Sequence, residues 1–170
     1  MKKRISHWPK ISSSINAGIK TKKKVKMKTK ETISLLIVED NSMLRDSLKM
    51  LLESFEKTMI IKVQEADSGE AAIEKVKEKN FDIILMDNNM PPGISGPEAT
   101  RRILKIKPEI KILGLSNYEE RALVEEMMNA GANGYLLKDI EKKELIEAIK
   151  TVIAGGTYYC KRIRKKFNLG

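Results

Sequence analysis

Residues 81–96 read FDIILMDNNMPPGISG, an apolar run, one acid, and then a loop rich in turn formers. Ile83, Ile84, Leu85 and Met86 show no polar alternation, the pattern of a strand covered on both faces. Asp87 leaves the end of that strand into a segment punctuated by Pro91, Pro92, Gly93 and Gly96. Strands of this kind belong to parallel sheets flanked by helices, which take their ligands at the carboxyl ends of the strands. The stretch therefore predicts an architecture and also the edge of it where chemistry collects.

Outward from this run, β-type segments recur at residues 34–38, 60–64, 82–86, 110–115 and 134–137. Their starts lie 26, 22, 28 and 24 residues apart, each interval about the size of one βα unit. Helix starts are marked between them. Asp67-Ser-Gly-Glu70, Ser95-Gly-Pro-Glu98 and Asn117-Tyr-Glu-Glu120 each set a capping residue three positions before a Glu. Leu145, Ile149, Val152 and Ile153 give the last helix an apolar face, and Gly155-Gly156 ends it. The expected architecture is one α/β domain over residues 32–156, a doubly wound parallel sheet.

Charge divides the 170-residue chain unevenly. Residues 1–31 carry 11 Lys/Arg against one Glu, residues 32–160 carry 17 against 22 acids, and the last ten carry five bases and no acid. An acidic body is expected between a basic, disordered arm (1–31) and a basic C-terminal tail (157–170). A single cysteine, Cys160, argues against an intramolecular disulfide and fits a reducing cytoplasm. No apolar run approaches the roughly 18–20 residues that span a bilayer, and the N-terminal lysines precede no apolar stretch. The expected location is cytoplasmic.

The residues just past each strand are Glu39 and Asp40, then Asp87 and Asn89, then Ser116, then Lys138. Three carboxylates converging in one crevice repel unless a cation joins them, and hard oxygen ligands suit Mg2+. A hydroxyl and an ammonium beside Asp87 are what an anion attached there would need. The constellation reads as a carboxylate nucleophile, Asp87, that takes up a phosphoryl group with help from a metal.

The segments LLIVEDN, IILMDNNMP, ILGLSN and GYLLKD together resemble the receiver domain of bacterial two-component response regulators, over residues 32–156. The resemblance implies a flavodoxin-like (βα)5 fold with strand order 2-1-3-4-5. It implies that Asp87 is the phospho-acceptor, that Glu39 and Asp40 hold Mg2+, and that the backbone carbonyl of Asn89 adds a ligand. Ser116 matches the hydroxyl that turns toward the phosphoryl group, Lys138 the lysine that pairs with it, and Tyr135 the aromatic switch. Asn89 and Tyr118 match the two positions that tune dephosphorylation. The implied partners are a sensor histidine kinase or phosphotransfer protein, and a downstream protein met by the fifth strand and the last two helices. A second copy of the chain, in a homodimer, is a further candidate partner. Two departures stand out: the loop at residues 90–96 is one residue longer than the commonest form, and Asp139 follows Lys138 where many receivers have proline. Lys-Asp with Ala130-Gly131-Ala132 is typical of receivers carrying a helix-turn-helix output domain, and TYYCKRIRKKFNLG is too short to be one.

Plainer roles compete at each position. An acid after a strand is commonly a turn former or cap, Glu39-Asp40 could serve as first-turn acids, and Ser116 could satisfy local backbone. Tyr135 could simply pack, and Met43, Met50, Met127 and Met128 fall at helical spacing that suits core or helix-face packing. His7 has no partner residues that suit a phosphohistidine role. Trp8 is the arm's one group for a stacking or interfacial contact. The basic tails are expected to meet nucleic acid only by charge, without sequence preference.

The leading functional reading is a stand-alone, non-enzymatic phosphorylation switch. The alternative is a DNA-binding transcriptional response regulator whose helix-turn-helix output domain is missing from this chain. A flavodoxin-like enzyme or nucleotide binder is disfavoured, because Val38-Glu-Asp-Asn-Ser offers no glycine for a phosphate loop.

Overall fold

The computed structural model describes residues 32–54 and 59–169, so the arm at 1–31, with His7 and Trp8, lies outside the described residues. Among the described residues six strands and six helices alternate: β1 (Thr32–Val38), α1 (Ser42–Glu53), β2 (Ile60–Ala66), α2 (Gly69–Glu78), β3 (Ile83–Asp87), α3 (Gly96–Ile106), β4 (Lys111–Ser116), α4 (Arg121–Asn129), β5 (Gly134–Leu137), α5 (Lys142–Ile153), β6 (Tyr158–Tyr159) and α6 (Lys161–Phe167). The strands form one sheet in the order β2-β1-β3-β4-β5-β6. Every neighbouring pair is parallel. Order 2-1-3-4-5 is therefore present as expected, with a sixth strand added at its edge.

The apolar run that opened the reading is the centre of this sheet. All five residues of β3 are buried. Leu35, Leu36, Ile37, Ile83, Ile84 and Leu85 are fully enclosed, and each such side chain stabilises the fold by about 2 kcal/mol. Leu145, Ile149 and Val152 of α5 are buried as their spacing predicts. Gly155 follows that helix with φ +88°, a conformation glycine adopts without strain.

Three expectations are corrected. Helix α2 is capped by Ser68, whose hydroxyl accepts from Ala71 N–H at 3.3 Å, one residue later than Asp67. Helix α4 starts at Arg121, after Glu120 rather than Asn117. Residues 117–119 stay out of the helix because their backbone is engaged elsewhere: Tyr118 N–H donates to Ser116 Oγ at 3.0 Å, and Tyr118 C=O accepts from the Tyr135 hydroxyl at 3.0 Å. Third, Met43 and Met50 are 79% and 72% exposed, so they are not packed, whereas Met127 is fully buried.

The segment after residue 156 differs most from expectation. Residues 158–167, expected within a charged tail, form β6 and α6. Tyr158, Tyr159, Cys160 and Ile163 are buried in the same core as the central strands. The charge run hides this apolar set because Lys161, Arg162, Lys165 and Lys166 occupy the exposed positions between and after them.

Candidate functional site

The carboxyl ends of the strands bring together the residues that the sequence singled out. Glu39 follows β1, Asp87 ends β3, Ser116 ends β4 and Lys138 follows β5. Lys138 Nζ lies 2.7 Å from Glu39 Oε2 and 2.9 Å from Asp87 Oδ2. The ammonium meets both oxygens as an ion pair, off ideal hydrogen-bond directions, so both buried oxygens stay short of a well-directed donor. Glu39 and Asp87 are 1% and 3% exposed, whereas Asp40 is open to solvent.

Local structure holds these groups in place. Asn41 caps α1 by accepting from Leu44 N–H at 3.1 Å, and its own N–H donates to Glu39 Oε1 at 3.2 Å. Arg45 Nη1 donates to the Glu39 carbonyl at 2.6 Å. Asn89 N–H donates to Asp87 Oδ1 at 3.3 Å. The sequence reading missed the supporting roles of Asn41 and Arg45. An Asn two residues past an acid, just ahead of an amphipathic run, is a capping signal that could have found the first.

Gly96 fixes how the longer loop closes. A Cβ there would lie 2.0 Å from the Asp87 carbonyl oxygen, inside any real contact, and Gly96 N–H donates to Asn88 C=O at 3.0 Å. The loop folds back against the strand end that carries Asp87. Gly96→Ala is expected to lower stability by about 2 kcal/mol or more. It should also weaken divalent-cation binding, as thermal denaturation with and without Mg2+ would show.

One carboxylate oxygen from each of Glu39, Asp40 and Asp87 can lie within 4.8 Å of the others. Burial pushes the Glu39 carboxyl above its ordinary range, more than Lys138 draws it down, and the charge of Asp87 adds to the rise. Burial likewise raises Asp87 against the pull of Lys138, with Asp40 adding to the rise. Burial disfavours the Lys138 ammonium, but its contacts with Glu39 and Asp87 outweigh that and lift its pKa. The donor set, all hard oxygens with a buried charge excess, fits Mg2+.

A pH dependence follows. Both raised carboxyls hold protons more tightly folded than unfolded, so their contribution to stability is greatest below the ordinary carboxylate range and is lost as pH rises through the raised values. A divalent cation competes with those protons. The gain in Tm on adding Mg2+ should be largest at about pH 8 and shrink toward about pH 5. An equal gain at both pH values would contradict cation binding at these two carboxyls.

Ser116 and Tyr135 are both buried, at 2% and 0% exposure. The Tyr135 ring is packed, and its hydroxyl reaches the Tyr118 carbonyl, so the packing role and a link to the β4–α4 loop coexist. Tyr118 itself is 57% exposed, two residues past Ser116. Asn88, which the sequence reading passed over, is buried with an unpartnered Oδ1.

With this geometry in view, comparison with known proteins decides the family. A family model described as the response regulator receiver domain matches residues 35–150. The chain belongs to the response regulator receiver domain family. This receiver is 38% identical over 126 residues to "Transcriptional regulatory protein DegU" of Brevibacillus brevis, covering 74% of this chain and 52% of that protein. It is 35% identical over 137 residues to "Response regulator GacA" of Pseudomonas viridiflava, covering 81% of this chain and 63% of that one. The chain thus spans between half and two-thirds of the length of these relatives. Among solved structures it resembles a LuxR-family two-component response regulator from Aurantimonas sp. SI85-9A1, with TM-score 0.73, 27% identity, and coverage of 81% and 96% of the two chains. It also resembles a CheY-like receiver domain protein from Methanospirillum hungatei JF-1, with TM-score 0.65, 27% identity, and coverage of 73% and 95%. The receiver is a signalling switch with a flavodoxin-like fold. Among its described residues no helix is long and apolar enough to cross a membrane.

Proposed function

We propose that this receiver takes a phosphoryl group from a phosphohistidine donor onto Asp87, within a unit bounded by residues 32–169, and signals through protein contacts. The observation that carries the reading is the placement of Lys138 Nζ within 2.9 Å of Asp87 Oδ2, beside two further acids. An Asp87 oxygen forms the new bond to phosphorus as the donor's phosphorus–nitrogen bond breaks, and the departing imidazole keeps that electron pair and is protonated. Glu39, Asp40, Asp87 and the Asn89 carbonyl would hold Mg2+, which when bound offsets charge on the carboxylates and on the phosphoryl oxygens.

Lys138 and Ser116 serve the anion. Lys138 provides a charge-assisted contact to a phosphoryl oxygen, and Ser116 a hydroxyl donor. Once Ser116 turns to the phosphoryl group, Tyr118 N–H loses the acceptor it holds at 3.0 Å. That backbone segment also accepts from the Tyr135 hydroxyl, so the loop and the ring respond together. The face built by α4, β5 and α5, around Tyr135, is where a downstream protein would read the change. The kinship to a protein named transcriptional regulatory protein, DegU, whose length this chain only partly spans, favours a regulator of transcription as a second reading. A covalently linked output domain in the intact protein would then do the reading.

The lifetime of the phosphorylated state tests the mouth of the site. Hydrolysis needs a water in line behind phosphorus, and the exposed Tyr118 ring crowds that approach, while the Asn89 amide could orient the water. Tyr118→Ala should speed phosphate loss about tenfold, with Mg2+ affinity nearly unchanged, followed as phosphate release after donor removal. An unchanged or slower decay would shift the shielding role to the Pro91-Pro92 loop.

A further inference from the structure

Residues 158–169 grip both loops that carry the phosphate-binding groups. Strand β6 pairs with the edge of β5, with Gly134 opposite Tyr158 and Tyr135 opposite Tyr159. Cys160 N–H donates to the carbonyl of Tyr135 itself, at 3.1 Å. From α6, Arg162 Nη2 lies 2.8 and 3.0 Å from the two oxygens of Asp139, the residue next to Lys138. Arg162 Nε and Lys166 Nζ lie 4.0 and 3.5 Å from Glu119, next to Tyr118. Arg121, at the start of α4, sits over the Phe167 ring at 5.0 Å. Ile163 is the buried anchor.

This attachment joins a buried apolar set, Tyr158, Tyr159, Cys160 and Ile163, to exposed charged contacts around it. Beside the buried Ile163 and the partly buried Phe167, α6 is held by a Lys161 N–H bond to Glu144 Oε1 at 2.7 Å and by ion pairs that are about half exposed, and such pairs are individually weak. An open groove of about 250 Å3 separates the start of α6 from the β5–α5 loop, lined by Leu137, Asp139, Ile140, Glu144, Cys160 and Arg162. The acids that hold Arg162 stand beside Lys138 and Tyr118, the two positions whose contacts a phosphoryl group on Asp87 would redraw.

We propose that β6 and α6 form a latch over the α4–β5–α5 face, docked while Asp87 is unmodified and loosened when it carries a phosphoryl group. This rests on the phospho-acceptor reading above. When Lys138 turns from Glu39 to the phosphoryl oxygens, Asp139 moves with it. When Ser116 releases Tyr118 N–H, Glu119 moves as well. Arg162 then faces two displaced partners, and the bare edge of β5 becomes available to a downstream protein. Coupling is reciprocal: whatever loosens the latch favours the phosphorylated arrangement by the same factor.

Cys160 provides the readout, since it is the chain's one cysteine and is 3% exposed at the joint between β6 and α6. The experiment measures how fast Cys160 in the full chain reacts with a thiol reagent, with Mg2+ alone and with Mg2+ plus beryllofluoride as a stable phosphoryl mimic. Fluorine NMR reports occupancy of the Asp87 site independently. Binding that merely stabilised the fold would slow labelling, so acceleration can come only from local opening. The expected result is labelling about tenfold faster with beryllofluoride bound. Arg162→Glu, with an unchanged far-UV spectrum, should label faster without the mimic, gain little when it is added, and bind it more tightly. A bound fluorine signal with unchanged labelling would overturn the latch while leaving the phospho-acceptor reading intact. Absence of any bound signal would overturn that reading and the latch with it. Labelling of Arg162→Glu at the wild-type rate would show that the ion pairs hold nothing.

Discussion

Asp87→Asn should abolish phosphoryl uptake without unfolding the protein. Incubated with acetyl phosphate and Mg2+, the wild type gains about 80 Da and the variant gains nothing. Asn has the shape of Asp but neither the charge nor a nucleophilic oxygen, and in the proposed site the next carboxylates, Glu39 and Asp40, would serve the cation. Stability separates this loss from damage. Asp87 is buried, and burial raises its carboxyl, so ionising it costs more in the fold than in the unfolded chain. An uncharged amide removes that cost, and Glu39 loses a neighbour whose charge raises it. The Tm of Asp87→Asn in metal-free buffer at about pH 7 should equal or exceed that of the wild type. A variant that loses uptake and also melts well below the wild type would show only a damaged fold.

Lys138→Met should separate metal binding from phosphoryl transfer in opposite directions. The ammonium touches Glu39 and Asp87 at 2.7 and 2.9 Å, so it would compete with a divalent cation for the same oxygens. Without it, three carboxylates face one another uncompensated, and Mg2+ should bind about tenfold more tightly. Phosphorylation by acetyl phosphate should nonetheless fall about 100-fold or more, because the charge proposed to meet the developing phosphoryl oxygens would be gone. The variant should also be less stable than the wild type at neutral pH without metal, and recover as acid protonates the raised carboxyls. Calorimetric titration with Mg2+ and the rate of mass gain provide the two readings. A parallel fall in both would mean that Lys138 only organises the pocket.

How much of this was legible in the sequence differs by residue. The central strand was plain because β3 is covered on both faces, so an uninterrupted apolar run has one reading once its spacing to similar runs is counted. Glu39, Asp87, Ser116 and Lys138 were found because strand ends are fixed points: whatever follows each parallel strand must face one crevice. Helix α4 was misplaced because the backbone at Tyr118 is bonded to Ser116 and Tyr135, contacts across strands that no local capping rule contains. The exposure of Met43 and Met50 was hidden for a related reason. A helical apolar stripe does not say which side of α1 the sheet will cover, and Leu48 and Leu52 took that side.

The C-terminal segment is the sharpest case. Five bases within the last ten residues suggest a solvated tail, yet Arg162 and Lys166 are drawn onto Asp139 and Glu119 while Ile163 enters the core. The acidic body and the basic end are complementary parts of one fold. Averaged charge conceals this, whereas the apolar positions 158, 159, 160 and 163 reveal it once they are read separately from their neighbours.

The most direct test of the central claim is to locate the phosphoryl group on the wild-type chain. After reaction with acetyl phosphate and Mg2+, borohydride reduces an aspartyl phosphate to homoserine, which fragment mass spectra place residue by residue. The account predicts homoserine at Asp87 alone, within the peptide FDIILMDNNMPPGISG, and none when Mg2+ is chelated. Homoserine at Asp40, or unreduced phosphate on a hydroxyl such as Ser116, would contradict it.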